Sequence, residues 1–172
     1  GNWRNCHVEK VKLKLKDLSF ETQRCKVRMF MESDLDSFIE YRNNEDWMRY
    51  QGFKGLTKEE YRESLLHNLS IEKGMQLAII SKESNDLIGD VYLNSEDDSL
   101  WIGYTIHPNF SRKGYAFEIA NGIIDWARKK GFTSILAGVE PDNVASIKLL
   151  EKLGLKLLTT DDGELIYKLN IR

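Results

Sequence analysis

A short basic loop containing one glycine is the segment of this sequence best suited to bind a ligand. It reads Ser-Arg-Lys-Gly-Tyr-Ala over residues 111–116. An apolar segment over 100–106 precedes it, and a strongly periodic segment follows it. The first N–H groups of a helix lack partners within the helix, and the helix dipole adds positive potential there. We therefore expect this loop, between a strand and a helix N-terminus, to hold a phosphorylated cofactor.

The segments around the loop predict a mixed α/β fold. Before it, three apolar or alternating segments separated by turn-rich residues predict a β-meander over 75–81, 87–94 and 99–107. After it, apolar residues recur at helical spacing from 116 to 127. A strand over 135–139 follows, and we expect it to run parallel to 99–107 in a right-handed strand–helix–strand unit. The full predicted order is two strands, two helices, three strands, a helix, a strand, a helix and a final hairpin.

The first twenty residues differ in pattern from the rest. Lysines at 10, 12, 14 and 16 alternate with Val11, Leu13 and Leu15. This period-two pattern predicts an exposed edge strand protected by charge, and a basic strip for an acidic partner is the alternative interpretation. We assign residues 1–20 to an N-terminal extension and residues 21–172 to a single domain.

Composition and charge argue against several classes of protein. A formal net charge of −2 and 41% hydrophobic residues are typical of an ordinary globular protein and not of a general nucleic-acid-binding one. Cys6 and Cys25 lack the spacing of a metal or redox site, and the three histidines show no metal-ligand spacing. We therefore expect no metal and reduced thiols in the cytoplasm. No apolar run is long enough to span a membrane.

Three ordered sets of residues lie between positions 75 and 158. They are Leu-Ile-Gly at 87–89 with Ile-Gly-Tyr at 102–104 and His-Pro at 107–108, the loop at 112–116, and Asp-Asn-Val-Ala-Ser at 142–146 with Leu-Leu-Glu-Lys-Leu-Gly-Leu at 149–155. Together they resemble the GNAT superfamily of acetyl-CoA-dependent N-acetyltransferases, and most closely its ribosomal-protein N-terminal-alanine acetyltransferase branch. Residues 24–28, Arg-Cys-Lys-Val-Arg, are similar to the first strand of that branch.

The resemblance implies the superfamily's fold and its cofactor site. The fold would be a mixed, strongly twisted central sheet of about six or seven strands flanked by about four helices. The backbone of residues 112–116 would hold the pyrophosphate of acetyl-CoA, and the edge of residues 104–106 would bind the pantetheine arm. The cofactor-binding residues implied are Tyr104, Thr105, Ile106, Arg112, Lys113, Gly114, Tyr115, Ala116 and Asn143.

The implied reaction is direct transfer of acetyl from a thioester to a primary amine. It needs a neutral amine, a donor that stabilises the developing oxyanion, and a proton for the departing thiolate. A backbone N–H near Ile106 is the expected oxyanion donor. Leu150 replaces the tyrosine acid of many relatives, and Ser146 matches the serine proposed as the acid in this branch. A local hydrogen bond to the helix backbone is the alternative role of Ser146.

The sequence does not assign the general base. Trp101 stands where relatives often carry a glutamate. A chain of water molecules could take the place of a side-chain base. Asp90, Glu96 and Asp98 are candidates by position alone. His107 directly precedes a proline, and the end of a strand explains it more simply than a catalytic role.

Trp47 and Tyr50, between the first two helices, are the predicted acceptor-binding residues, because this region borders the acceptor site in the superfamily. A protein N-terminal α-amine is the first predicted acceptor, and a polyamine, aminoglycoside or amino-acid-like compound is the second. Leu150 and Trp101 motivate a different interpretation, a non-catalytic acyl-CoA-binding module. The expected partners are acetyl-CoA and an amine, without nucleic acid or membrane. The oligomeric state is open, and a homodimer is compatible with the sequence.

Overall fold

One sheet of eight strands forms the centre of the computed structural model, which describes residues 10–172. The strands are β1 (Phe20–Glu21), β2 (Cys25–Arg28), β3 (Met75–Ser81), β4 (Leu87–Glu96), β5 (Ser99–Ile106), β6 (Ser134–Val139), β7 (Lys156–Asp161) and β8 (Glu164–Asn170). Their order in the sheet is β1-β2-β3-β4-β5-β6-β8-β7. The predicted mixed α/β fold is confirmed, with more strands in the sheet than the six or seven expected.

In the described part of the chain, four α-helices accompany the sheet: α1 (Leu35–Arg42), α2 (Lys58–Leu66), α3 (Tyr115–Lys130) and α4 (Val144–Lys152). The helix predicted after the basic loop is α3, and it ends at Gly131, whose φ of +99° is the left-handed conformation that glycine adopts readily at a helix C-terminus. Among the residues described, no helix is both long and apolar enough to cross a membrane.

The central strands β5 and β6 are parallel, as predicted, but they pair only over three positions. Ser99 lies opposite Ser134, and Trp101, the last paired residue of β5, lies opposite Leu136. Beyond these pairs β5 continues to bond β4 as far as Ile106. From residue 102 onward, the edge of β5 that faces β6 therefore has no strand partner, and a cleft opens between the two strands.

The two faces of the sheet contribute to separate hydrophobic clusters. In β3, Leu77 and Ile79 belong to the larger cluster, which includes α3. The alternate residues Ala78 and Ile80 belong to the second cluster, with α1 and α2. This alternation follows from the opposite orientation of successive side chains in a strand. The cleft between β5 and β6 thus lies in a sheet that is packed on both faces.

The N-terminal segment differs from the predicted edge strand. Residues 1–9, including Cys6, lie outside the described residues. Residues 10–14 have no regular secondary structure, and Leu15–Asp17 form one turn of 3-10 helix. A strand needs a row of backbone partners, whereas Val11 N donates a single bond to Asp97 O (3.1 Å) and its side chain packs on the larger cluster. The domain boundary at residue 21 stays a prediction.

Candidate active site

The loop before α3 and the first turn of that helix present a row of free backbone donors. Arg112 (φ +59°) and Gly114 (φ +82°) both have left-handed backbone conformations, so the chain turns sharply into the helix. Within residues 10–172, none of the backbone N–H groups from 112 to 117 donates a hydrogen bond to another protein group. The first helical bond runs from Glu118 N to Gly114 O (3.1 Å). This geometry fits the predicted anion site.

Two adjoining cavities occupy the cleft where β5 and β6 separate. The smaller, about 120 Å³, is lined by Tyr104, Asn143, Ser146 and Glu164 among others. The larger, about 350 Å³, lies on the side of α1, with Asp90 in its lining. Tyr104 and Glu164 border both cavities, so a molecule in one comes close to a molecule in the other.

Of the other predicted cofactor residues, Tyr104 and Asn143 line the smaller cavity, and Thr105 lines the larger one. Tyr104, Thr105 and Ile106 form the unpaired edge of β5. Burial raises the pKa of Tyr104, so its phenol stays protonated at neutral pH. Asn143 caps α4, with its Oδ1 accepting a hydrogen bond from Ser146 N (3.3 Å). The cap fixes the start of α4 against the cleft.

Ser146 lies in the first turn of α4 and contributes to the lining of the smaller cavity. Its N–H is used by the Asn143 cap, but its hydroxyl makes no hydrogen bond to any residue in the described part of the chain. The local backbone bond considered as an alternative is therefore not formed. Leu150, one turn further along α4, borders the same cavity and offers only carbon.

The three carboxylates considered as bases are held in other roles or lie elsewhere. Asp90 is buried and accepts hydrogen bonds from the Tyr41 hydroxyl and the Arg42 guanidinium. These bonds hold Asp90 in a buried ion pair with Arg42. Asp98 accepts a hydrogen bond from Thr133 Oγ1 (2.5 Å), and the exposed Glu96 ends β4 at the turn opposite the anion loop.

Glu164 is a carboxylate in the cleft that the sequence did not single out. It is the first residue of β8, directly after the two-residue turn Asp162-Gly163, in which both φ angles are positive. Its side chain makes no hydrogen bond or ion pair with the residues described. Burial, reinforced by the nearby charges of Glu140 and Asp161, raises its pKa.

The space for Glu164 comes from a glycine on the neighbouring strand. A Cβ atom at Gly138 would lie 2.3 Å from Glu164 Oε1. A glycine inside an apolar strand often marks such a close approach. Gly138 is the sequence signal that could have indicated a close approach here, although it does not reveal which side chain approaches it.

Of the two predicted acceptor residues, Tyr50 borders both cavities. Trp47 packs against the ring of His107 (centroids 5.4 Å apart) and is not in the lining of either cavity. His107 Nδ1 accepts a hydrogen bond from Asn109 N (3.0 Å) at the end of β5. The side chain of His107 thus caps the turn after the strand, in agreement with the structural interpretation of this residue.

Within residues 10–172, no group of three or more histidine, cysteine, aspartate or glutamate side chains is arranged to hold a metal ion. The cleft presents the Ser146 hydroxyl and the Glu164 carboxylate, which both border the smaller cavity, next to the unpaired edge of β5. Such a cleft suits transfer of a group between two bound molecules.

Comparison with known proteins agrees with this architecture. The family model described as "Acetyltransferase (GNAT) domain" matches residues 24–156. The uncharacterized N-acetyltransferase p20 of Bacillus licheniformis is 31% identical over 147 residues, which cover 78% of this chain and 80% of that protein. The family-model match spans both the loop before α3 and the residues that form α4.

Solved structures show the same fold. An acetyltransferase (GNAT family) from Bacillus anthracis superposes with a TM-score of 0.79 at 22% identity, covering 89% of this chain and 98% of that chain. The ribosomal-protein-S5-alanine acetyltransferase from Vibrio fischeri has a TM-score of 0.71 at 21% identity, with coverage of 88% and 96%. With the family match over residues 24–156, these likenesses identify the chain as a member of the GNAT acetyltransferase family.

Proposed function

We propose that the protein transfers an acetyl group from acetyl-CoA to a primary amine. The observation that carries the proposal is the row of free N–H groups over residues 112–117, next to the cleft between β5 and β6. A pyrophosphate has enough oxygen atoms to accept several of these N–H groups, and Arg112 and Lys113 add positive charge. Gly114 lets the backbone turn towards the ligand.

The rest of the donor fits along the cleft. The unpaired edge of β5 at residues 104–106 offers N–H and C=O groups, and the pantetheine arm carries amides that pair with such an edge as an added strand does. Asn143, at the start of α4, contacts the arm near the thioester in this arrangement. The thioester then lies in the smaller cavity, between Ser146 and Glu164.

The chemical step consists of attack by the amine nitrogen on the thioester carbonyl. A C–N bond forms, the C–S bond breaks, and the amine loses a proton. A backbone N–H near Ile106 stabilises the negative charge on the carbonyl oxygen. Ser146 donates its hydroxyl proton to the departing thiolate and regains one from solvent.

We assign the general-base role to Glu164. Its carboxylate borders both cavities and is free of ion pairs within the described residues, whereas Asp90 is bound by two donors. The raised pKa of Glu164 makes it a better proton acceptor than an ordinary glutamate, because base strength follows pKa. Glu164 thus takes the proton that the acceptor amine gives up.

A protein N-terminal α-amine is the first candidate acceptor. Its pKa of about 7.7–8.0 leaves part of it neutral at physiological pH, whereas a lysine amine with a pKa of about 10.4 is almost fully charged. Tyr50, which borders both cavities, would contact the first residues of such a chain.

A small-molecule amine is the second candidate, because the larger cavity of about 350 Å³ is of a size suited to a compact ligand. Arg42, Asp90 and Gln76 contribute polar groups to its lining.

A thiol-release assay over a panel of amines tests the proposal. The panel contains peptides with free N-termini, polyamines, aminoglycosides and amino acids, and acetyl-CoA without amine is the control. We expect thiol release with at least one amine and a mass increase equal to one acetyl group on that amine. Binding of acetyl-CoA without turnover on any amine would instead identify a non-catalytic acyl-CoA-binding module. The cytoplasmic location and a homodimeric state stay predictions.

A further inference from the structure

Arg24 joins the beginning of β2 to the loop in front of α3. Its Nε donates to Glu118 Oε1 (2.6 Å) and its Nη1 donates to Lys113 O (3.0 Å). The guanidinium carbon lies 3.9 Å from the centre of the Tyr115 ring. One side chain therefore contacts the loop, the first residue of the helix and the first helical turn.

Glu118 is held from the same segment by further bonds. Its Oε2 accepts hydrogen bonds from Thr22 Oγ1 (2.6 Å) and from Arg24 N (2.8 Å). Burial alone would raise the pKa of Glu118, but these bonds and the guanidinium lower it. Glu118 is thus a fixed, charged anchor for Arg24, although the two residues are 94 positions apart in the chain.

The bond to Lys113 O determines which way the next N–H group points. In a trans peptide the C=O and N–H groups point in opposite directions. When Arg24 holds the carbonyl of Lys113, the N–H of Gly114 is directed away from Arg24. Gly114 N belongs to the row of free donors, so this contact fixes the orientation of one donor in the anion site.

We propose that Arg24 is a positioning residue that orients the Lys113–Gly114 peptide for the pyrophosphate of acetyl-CoA. The inference rests on the proposed function, because it assumes that the free N–H groups bind this ligand. This positioning role requires arginine. The planar guanidinium donates to Glu118 and to Lys113 O at once and stacks on the Tyr115 ring, and a lysine ammonium does not reproduce this geometry.

Titration calorimetry with CoA, which needs no acceptor, is the first test. We expect Arg24→Gln to weaken the affinity for CoA at least about tenfold and Arg24→Lys to restore only part of it. Arg28→Gln is the matched control: Arg28 lies on the adjoining strand β2 and forms a two-pronged pair with Asp34 (2.7 and 3.1 Å) away from the loop. It should change CoA affinity less than about twofold.

A donor without pyrophosphate separates positioning from a general structural role. S-acetylpantetheine keeps the thioester and the arm but lacks the pyrophosphate and the nucleoside. With the best amine from the thiol-release panel, Arg24→Gln should raise KM for acetyl-CoA about tenfold, leave kcat within about twofold, and leave kcat/KM for S-acetylpantetheine within about twofold. Arg24→Lys supplies the same comparison if Arg24→Gln does not fold.

Two results would overturn the inference. Unchanged CoA affinity in folded Arg24→Gln would show that the peptide keeps its orientation without the guanidinium. Equal losses with acetyl-CoA and S-acetylpantetheine would show a general structural role. Failure of the proposed function is distinguishable from both results, because it shows in the wild-type protein, which would then bind no CoA or would bind it without acetylating any amine.

Discussion

The carboxylate of Glu164 lies so close to Gly138 that a Cβ atom at position 138 would be 2.3 Å from Oε1. Strands β6 and β8 are neighbours in the sheet, and the pairing of Gly138 with Ile166 brings the two residues together. No residue larger than glycine leaves this space open. The missing side chain at position 138 therefore leaves the space in which the carboxylate of the proposed base lies.

Replacement of Gly138 by alanine should displace that carboxylate. Because the new methyl group would crowd the position of Oε1, the flexible Glu164 side chain must move aside, and we expect kcat to fall at least about tenfold with a stability change below about 0.5 kcal/mol at this exposed position. Steady-state kinetics and thermal melting measure the two effects. The double variant Gly138→Ala/Glu164→Gln should be no slower than Glu164→Gln alone, since both changes remove the same group. If the two substitutions lowered kcat additively, Gly138 would act on the reaction independently of Glu164.

Replacement of Glu164 by glutamine should remove the base while keeping the shape of the side chain. We expect kcat to fall about 100-fold or more, as is typical when a general base is lost. In the wild type, the rate should rise with pH as Glu164 ionises, at a pH above that of an ordinary glutamate because its pKa is raised. This acid limb should be absent from the pH–rate profile of the variant. The exposed Asp161, changed to asparagine, is the control and should keep the limb.

The same variant has an expected effect on stability. A carboxyl group with a raised pKa in the folded state binds protons more readily there than in the unfolded chain, so its ionisation costs stability as the pH rises. Glu164→Gln should therefore melt at a higher temperature than wild type at pH 7, and the difference should shrink towards about pH 4. Melting curves at several pH values measure it. A variant that is less stable at pH 7 would mean that the charged carboxylate has a stabilising partner.

Much of the fold follows from local sequence pattern. The order of helices and strands, the parallel pair β5–β6 and the end of α3 at Gly131 all depend on periodicity and on residues adjacent in the chain. The capping box of α2 is another example, because Thr57 Oγ1 accepts from Glu60 N (3.2 Å) and Glu60 Oε1 from Thr57 N (3.0 Å). The alternation of lysines at 10–16 led to the wrong prediction of an edge strand, because a period of two gives a strand only where a partner strand is available.

The residues missed by sequence analysis depend on contacts between distant parts of the chain. Glu164 follows a hairpin turn rich in acidic residues and resembles a solvated turn carboxylate until β8 is placed beside β6. Arg24 lies in a strand-like segment, and its contact with Lys113 is defined only when β2 and α3 come together. The anion loop was found because its donors are consecutive in sequence. The proposed base was not found because its environment is formed by β5, β6 and the start of α4, which are separate segments of the chain.

Replacement of Ser146 by alanine tests the proposed acid. Its hydroxyl makes no hydrogen bond within the described chain, so the variant should lose little stability, less than about 0.5 kcal/mol. If Ser146 protonates the thiolate, kcat should fall at least about tenfold while the affinity for CoA is unchanged. Steady-state kinetics, calorimetry and thermal melting of the variant measure kcat, the affinity for CoA and the stability, respectively. A full-rate Ser146→Ala enzyme would leave the acid unassigned.

The central claim is that the N–H groups in front of α3 bind the pyrophosphate of acetyl-CoA, and calorimetric titration of Gly114→Asp with CoA tests it most directly. Gly131→Asp is the matched control, since Gly131 also has a positive φ and lies at the opposite end of the same helix. We predict at least about a 100-fold loss of CoA affinity in Gly114→Asp, from the added negative charge and the loss of about two hydrogen bonds, and a change below about twofold in Gly131→Asp. Wild-type affinity in a folded Gly114→Asp protein would contradict the claim.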